Sequence, residues 1–278
     1  MKEKINSITY HTFVILFGFA MLYPIIWLIV SSLKQDSEIF ANAASLLITS
    51  FEFENYTKGW QGSGGQGFDV FFRNSAFVTT FVVIGTLFSS SLVAFGFARI
   101  DFKFRKLLFA CLLATVMLPM QVTLIPQYIL FHNLGWVNTY LPLIVPAFVG
   151  GIPFFIFLMI QFIRGIPREL DEAAVMDGCS YFGIFWRIVL PLCKPALITV
   201  TIFSFMWTWD DFFAPLIYLN ESRLFTVSLG LNMFADPDTM TQWGPLLAMS
   251  SLSLLPQIIL FLFCQKYLVD GMATTGLK

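Results

Sequence analysis

Two carboxylates, Asp210 and Asp211, interrupt an otherwise apolar stretch that runs from residue 195 to 220. An acid near the centre of a bilayer costs about 2.5–3.5 kcal/mol on insertion scales, so such residues usually face a helix-bundle interior or an aqueous cavity. There the two acids could accept hydrogen bonds from the hydroxyl groups of a solute, or they could bond a neighbouring helix or lie at a hydrated helix end. Gln121 and Thr123 leave the same alternatives open, because a proline-broken helix frees carbonyl groups that can line a cavity.

The rest of the chain has no spacing that is typical of catalysis, metal binding or nucleotide binding. The glycine-rich run 62–67 fits G-x-G-x-x-G, but no predicted strand precedes it and no helix follows, so we interpret it as a linker. The tail 271–278 imitates a phosphate-binding loop, but Leu277 interrupts the pattern. The cysteines form no metal-ligand spacing and are interpreted as packing residues. They are Cys111, Cys179, Cys193 and Cys264.

The composition is typical of a membrane protein. Hydrophobic residues make up 57 % of the 278 residues, charged residues 12 %, and mean hydropathy is +0.77. Charged residues are far scarcer than in ordinary soluble domains, which excludes a soluble enzyme and a disordered chain. A net charge of −1 excludes a nucleic-acid binder that acts through its overall field.

Six apolar stretches are long enough to cross a bilayer as helices, which takes about 20 residues each. They are residues 5–33, 74–98, two crossings within 107–163 that a polar turn at 132–139 divides, 195–220 and 239–265. The first stretch is too long for a signal-peptide core and is interpreted as a retained helix. If the N-terminus is cytoplasmic, twelve of the sixteen Lys and Arg residues lie on the cytoplasmic side, so both termini are expected there. The fold class predicted is all-α, a polytopic membrane protein with six transmembrane helices.

Segment 164–194, between the fourth and fifth crossings, differs from the rest because it carries four acids and four bases. Pro167 suits the first position of a helix, and the acids that follow complement the helix dipole. Gly178 can end that helix in a left-handed conformation, so we predict a helix over 167–177. Ser180 can cap a second, apolar helix, which we expect Pro191 to stop. The pattern fits a docking surface for another protein, with small residues flanked by acids, but also an ordinary connector at the bilayer interface.

The same segment resembles the E-A-A-x3-G-x9-I-x-L-P loop of the permease subunits of ABC importers. The matching residues are Glu172, Ala173, Ala174, Gly178, Ile188, Leu190 and Pro191. In that family the loop is the coupling helix, which sits in a groove of a cytoplasmic ATPase subunit and transmits nucleotide-driven motion. The resemblance therefore implies ATPase docking. The residues expected to dock are Glu172, Ala173, Ala174, Asp177 and Gly178.

Three further segments resemble carbohydrate importers of the maltose-permease type. They are residues 117–126, residues 135–140 and the run from Trp209 to Phe212, in which Asp210 replaces a common Asn. The resemblance extends from about residue 74 to the C-terminus. It implies the type I ABC importer permease fold, with the smaller maltose-type permease as the model.

This resemblance implies a division into an N-terminal helix and first outer loop (1–73), a permease core (74–266) with the coupling loop 164–194, and a cytoplasmic tail (267–278). It also implies a multi-pass protein of the bacterial inner membrane and not an enzyme. A second homologous permease, two ATPase subunits and an extracytoplasmic solute-binding protein are the implied partners, besides the lipid bilayer. The chain is expected to bind no cofactor, ATP-Mg being held by the partner ATPase.

The function implied is import of a sugar or oligosaccharide along a path shared with the second permease. Asp210, Asp211, Gln121 and Thr123 are the candidates for lining that path, and the outer loop around 221–238 is expected to contact the binding protein. The alternative is an ion-coupled secondary sugar carrier, in which the two acids would bind protons or sodium. That alternative leaves the charged segment 164–194 without an evident purpose.

Overall fold

The computed structural model describes the backbone of residues 2–41, 45–62, 65–235 and 241–275, and the side chains of residues 7, 9–41, 45–62, 65–119, 122–235 and 241–267. The regular elements of these residues are helices. They are α1 (Lys2–Ser31), α2 (Asp36–Ala41), α3 (Glu54–Gln61), α4 (Phe68–Arg99), α5 (Arg105–Val116), α6 (Met120–Asn133), α7 (Leu141–Val149), α8 (Pro153–Arg164), α9 (Glu169–Met176), α10 (Tyr181–Ile184), α11 (Leu190–Leu192), α12 (Lys194–Trp209), α13 (Phe213–Tyr218), α14 (Val227–Asn232), α15 (Trp243–Ser253) and α16 (Leu255–Thr275). A π turn, Phe185–Val189, joins α10 to α11, and 3-10 turns lie at Ser222–Leu224 and Met233–Ala235.

The chain divides into two compact units, the first of which comprises residues 1–69 and 230–255. Its loop after α1 was expected only as an outer connection, but it contains α2 and α3. The buried Asn55 of α3 donates hydrogen bonds to the carbonyl oxygens of Ser32 and Lys34, both at 2.9 Å. The Lys34 side chain is buried, and its ammonium group donates to the carbonyl oxygen of Ser45 at 2.6 Å. These bonds satisfy polar groups at the end of α1 and fix the loop.

Helix α3 packs closely on α15 in the same unit because Gly59 has no side chain. A Cβ at Gly59 would lie 2.8 Å from the Met249 side chain and 3.1 Å from the carbonyl oxygen of Pro245. Such distances are shorter than van der Waals contact, so any larger residue would push the two helices apart.

The second unit comprises residues 70–229 and 256–278. Its main apolar core joins one half of α4 to α8, α9, α10 and α12. Fully buried members include Ala94 of α4, Phe155 and Ile160 of α8, and Val200 of α12. The segment 164–194 is thus part of a packed core and not a loose connector.

Four helical stretches in the described residues are long and apolar enough to cross a membrane: Thr9–Ser31, Phe68–Arg99, Leu141–Arg164 and Trp243–Tyr267. A fifth is obtained if the bent pair Tyr181–Leu192 and Lys194–Trp209, with 75° between its helices, is one span. The third predicted crossing is not a continuous helix, since α5 ends at Val116 and α6 begins at Met120. The count of six and the orientation of the termini stay predictions.

The interruption between α5 and α6 has a local cause. Pro119 is extended, with φ −62° and ψ 138°, and a proline disfavours helical conformation in the residue before it. Pro126, in contrast, lies inside α6. The break was expected around Gln121 and Thr123, but both belong to the first turn of α6, after the break, and the side chain of Gln121 is outside the described residues.

Candidate functional site

Helix α9 forms within the charged segment largely as its sequence predicts. It runs from Glu169 to Met176, two residues shorter at its start and one at its end than expected. Its first turn carries Glu169, Asp171 and Glu172, where the exposed N–H groups and the helix dipole favour negative charge.

The end of α9 is a Schellman motif, which confirms the predicted role of Gly178. The glycine has φ +80°, its N–H donates to the Val175 carbonyl, and the Cys179 N–H donates to the Ala174 carbonyl, both at 2.9 Å. A Cβ at Gly178 would meet nothing within 4 Å. The backbone conformation, and not lack of space, therefore makes glycine the favoured residue.

The five residues expected to dock the ATPase lie together on this hairpin. Ala174 is buried in the core of its unit, and it anchors the helix from beneath. The other four are exposed: Glu172, Ala173, Asp177 and Gly178. The hairpin thus exposes the small residues Ala173 and Gly178 with carboxylates beside them, and a partner backbone could approach closely there, next to the exposed side chains of Val175 and Met176.

An arginine from α4 holds α9 in place, and it was not among the residues singled out from the sequence. Arg99 lies at the end of α4, with its Nε 2.8 Å from Oδ2 of Asp171 and its Nη2 donating to the Ile166 carbonyl at 2.8 Å. The first contact is an ion pair and not an aligned hydrogen bond, since Arg99 Nε has no hydrogen-bond partner among the described residues. The only sequence signal was the positive charge, because the partners are some 70 residues apart in the chain.

The second helix of the segment begins as predicted and ends differently. The Gly183 N–H donates to Oγ of Ser180 at 3.2 Å, so Ser180 caps α10. Pro191 does not stop the helix, which continues through the π turn to Leu192. The π turn ends at Val189, two residues before Pro191, which has no N–H for regular α bonding. The direction changes only between Leu192 and Lys194.

The two acids of the fifth apolar stretch follow α12, which ends at Trp209. Asp210 is exposed, and its Oδ1 accepts a hydrogen bond from Gln257 of α16 at 2.5 Å. Asp211 accepts a hydrogen bond at 3.2 Å from the N–H of Ala214, in the first turn of α13. The sequence gives no reason to distinguish the two acids. In the structure Asp210 bonds another helix, whereas Asp211 faces a cavity.

That cavity, of about 300 Å³, lies between α4, α6, α7, α12 and α13. Asp211 and Gln127 line it, together with Thr79, Tyr218 and Thr226. The last three are buried, yet their hydroxyl groups have no hydrogen-bond partner among the described residues. Thr123 is not in the described lining. The hydroxyl cluster was missed because its members come from distant parts of the chain.

A polar network fixes the loop beside this cavity. Asn138, with φ +63°, donates from its side chain to Glu221 at 2.7 Å, and its Oδ1 accepts from the N–H groups of Asn220 and Glu221. The hydrogen bond that the Asn138 side chain donates, with one donated by Arg223, holds the pKa of Glu221 below its usual range. Asn74 of α4 anchors the other end by donating to the carbonyl oxygens of Arg223 and Phe225 at 2.9 and 3.0 Å.

The described residues form helices throughout, several of them long and apolar enough to cross a membrane, and this architecture is that of a polytopic membrane protein. Residues 85–274 match the family model described as "Binding-protein-dependent transport system inner membrane component". The chain belongs to this family.

Similar proteins agree with that assignment. A probable ABC transporter permease protein of Bacillus subtilis, YurM, is 38 % identical over all of this chain and 90 % of its own length. The arabinooligosaccharides transport system permease protein AraQ of B. subtilis is 35 % identical over 96 % of this chain and 94 % of its own. The trehalose/maltose transport system permease protein MalG of Thermococcus litoralis is 32 % identical over 95 % and 94 %.

The fold also matches a chain in the crystal structure of a bacterial ABC transporter involved in alginate import. The TM-score is 0.82 at 21 % identity, with 96 % of this chain and 98 % of that chain covered. The expected type I permease fold is therefore confirmed. This protein is the permease subunit of a binding-protein-dependent ABC transport system, an inner-membrane component and not itself an enzyme. The ion-coupled carrier is thereby disfavoured.

Proposed function

We propose that this chain forms, with a second homologous permease, the path of an ATP-driven importer for a sugar or oligosaccharide. An extracytoplasmic binding protein delivers the solute, and two ATPase subunits drive the cycle with ATP-Mg that they bind themselves. The names of AraQ and MalG support the solute class. The observation that carries the proposal is the hairpin at α9, which is packed into the core through Ala174 yet exposes Glu172, Ala173, Asp177 and Gly178.

The ATPase docks on α9 through Glu172, Ala173, Asp177 and Gly178, with Ala174 holding the helix from below. Small side chains allow a close approach, and the exposed carboxylates favour a basic groove in the partner. Closure of the ATPase pair on ATP would displace α9. Because ATP binds the two access states with different affinity, it shifts the permease between inward and outward access.

The cavity beside α13 is the solute-path element of this subunit, and Asp211 is its carboxylate. A buried hydroxyl without a partner costs about 1–3 kcal/mol, so Thr79, Tyr218 and Thr226 favour a polar occupant. Its volume is near the lower end of the ~300–1,000 Å³ range of small-molecule pockets, which suits one sugar ring at a time. Asp210 supports the solute path only indirectly, since its carboxylate already accepts a hydrogen bond from Gln257.

The outer segment around 221–238 contacts the binding protein in this proposal. Its described part is folded, and Phe234 is buried beside Phe68 with ring centroids 6.0 Å apart. Residues 236–238 lie outside the described residues. A deletion should therefore spare Phe234 and remove only 236–238. We expect it to weaken ATPase stimulation by the loaded binding protein, and unchanged stimulation would contradict this contact.

The transport mechanism is tested in proteoliposomes that contain the complete transporter, with loaded binding protein outside and ATP inside. Uptake of labelled oligosaccharide should require ATP and persist when an ionophore collapses the ion gradients. Uptake that stops with the ionophore at constant ATP would overturn the proposal.

The path is tested with isosteric variants. Thr79→Val and Thr226→Val should reduce uptake, whereas Thr201→Val, whose hydroxyl already donates to the Leu197 carbonyl at 2.8 Å, should leave it unchanged. Equal effects of all three substitutions on uptake would contradict the assignment of this cavity to the solute path.

A further inference from the structure

The contacts of Arg99 are unusual for a charged residue at the end of a helix. Its side chain is only 4 % exposed, yet among the described residues its charge is matched by a single carboxylate, that of Asp171 at 2.8 Å. The Asp171 side chain is itself 17 % exposed. The pair is therefore largely shielded from water, so its electrostatic interaction is stronger than that of an exposed ion pair.

The link between α4 and the start of α9 runs in both directions. Arg99 of α4 donates to the Ile166 carbonyl, and Arg168, directly before α9, donates back to the Ala98 carbonyl at 3.3 Å. Ala98, Ile166 and Ala174 are buried in one apolar cluster beneath these bonds. Polar contacts and packing together connect the end of one helix to the start of the other.

Helix α4 carries this connection to the cavity. It has 32 residues, and its residue Thr79 lines the cavity 20 positions before Arg99. At 1.5 Å per residue that is a distance of about 30 Å along one uninterrupted helix. A displacement applied at Arg99 can therefore reach the cavity wall without crossing a flexible joint.

We propose that Arg99 is a positioning residue whose ion pair with Asp171 makes α9 and α4 move as one body. Displacement of α9 by the ATPase then moves the wall of the solute cavity through α4. This inference rests on the proposed docking of the ATPase at α9. It assigns the transmission step to a specific pair, which distinguishes it from docking itself.

The chain offers a matched control. Arg105 and Asp101 form a second Arg–Asp ion pair only a few residues further on, but the Asp101 side chain is 92 % exposed. Exposed pairs contribute little, about 0–1 kcal/mol in general, and this one connects neighbours in sequence and not two separate helices. Loss of the Arg105 charge should therefore leave transmission unchanged.

The experiment uses the complete transporter in proteoliposomes and compares Arg99→Met, Asp171→Asn, the exchange Arg99→Asp/Asp171→Arg, and the control Arg105→Met. Three quantities are measured: ATPase retained during purification, ATP hydrolysis stimulated by loaded binding protein, and solute imported per ATP. We expect both single variants to retain the ATPase and to lower solute imported per ATP about tenfold, within the range usual for coupling between sites. The exchange should recover part of that loss, and the control should match the wild type.

Two results would overturn the proposal. One is a normal amount of solute imported per ATP in Asp171→Asn. This variant keeps the shape of the side chain, so it still tests the ion pair if Arg99→Met fails to insert into the membrane. The other is an exchange variant no better than the single variants. Absence of ATPase docking on α9 in the wild type would instead contradict the proposed function, so the two failures are distinguishable.

Discussion

Substitution of Gly178 is expected to disrupt ATPase docking through the backbone conformation of the hairpin, besides any bulk that it adds at the docking surface. The residue has φ +80°, and a left-handed conformation costs an L-residue with a Cβ roughly 1–2 kcal/mol. A Cβ there would meet no atom of this chain within 4 Å, so no steric clash within the hairpin adds to that cost. This cost disfavours the conformation in which the N–H groups of Gly178 and Cys179 make the two hydrogen bonds of the Schellman motif. A penalty of 1–2 kcal/mol changes the ratio of formed to frayed helix end by a factor of about 5–30.

The test compares Gly178→Asn with Gly178→Leu, whose side chains have similar shape. Asn tolerates the left-handed region and Leu does not. Copurification of untagged ATPase, normalised to the amount of inserted permease, should be reduced much more for Gly178→Leu than for Gly178→Asn, because both add similar bulk at the docking surface and only Leu also disfavours the left-handed backbone. Equal copurification of both variants would refute the reasoning, since it would show that the backbone conformation of the hairpin does not control docking.

Three further predictions concern other parts of the chain. Ser180→Ala removes the cap of α10, worth about 1 kcal/mol, and should accelerate hydrogen exchange in its first turn about fivefold; unchanged exchange would contradict the cap. Asn138→Ala should raise the pKa of Glu221 in an infrared titration, because the bond that stabilises the carboxylate is lost. In the wild type the stability that this hydrogen bond contributes is fully present above the usual Glu pKa and is lost as pH falls through the lowered pKa of Glu221. A pKa of Glu221 that is the same in Asn138→Ala and the wild type would contradict this role of Asn138. Gly59→Val should destabilise the unit around α3 by about 1–3 kcal/mol through overpacking, read as a lower thermal midpoint, and an unchanged midpoint would show that α3 and α15 separate freely.

Features set by neighbours in sequence were predictable. The left-handed Gly178 and the Ser180 cap follow from residue type and spacing within a few positions, and the structure has both. The failure at Pro191 is also local, because the pattern gives no sign of the π turn that accommodates it. The family resemblance supplied what no local rule could, namely the partner for the hairpin.

Features set by distant residues were not predictable. The Arg99–Asp171 pair joins residues 72 positions apart, and the hydroxyl cluster of the cavity draws on α4, α13 and the loop after it. In the first unit, Asn55 was an unremarked polar residue of an outer loop, but it satisfies two carbonyl groups at the end of α1. Each depends on how the chain folds back on itself, which a hydropathy pattern does not specify.

The central claim, that the ATPase docks on α9, is tested most directly by site-specific crosslinking. In a chain whose native cysteines are replaced by Ala, Ala173→Cys places a thiol on the exposed surface of α9, and Ala174→Cys places one on its buried side as the matched control. During active import, a short bifunctional reagent should join the Ala173→Cys variant to the ATPase subunit and leave the Ala174→Cys variant uncrosslinked. Reaction of the Ala173→Cys variant with lipid or solvent-borne reagent alone would contradict the account.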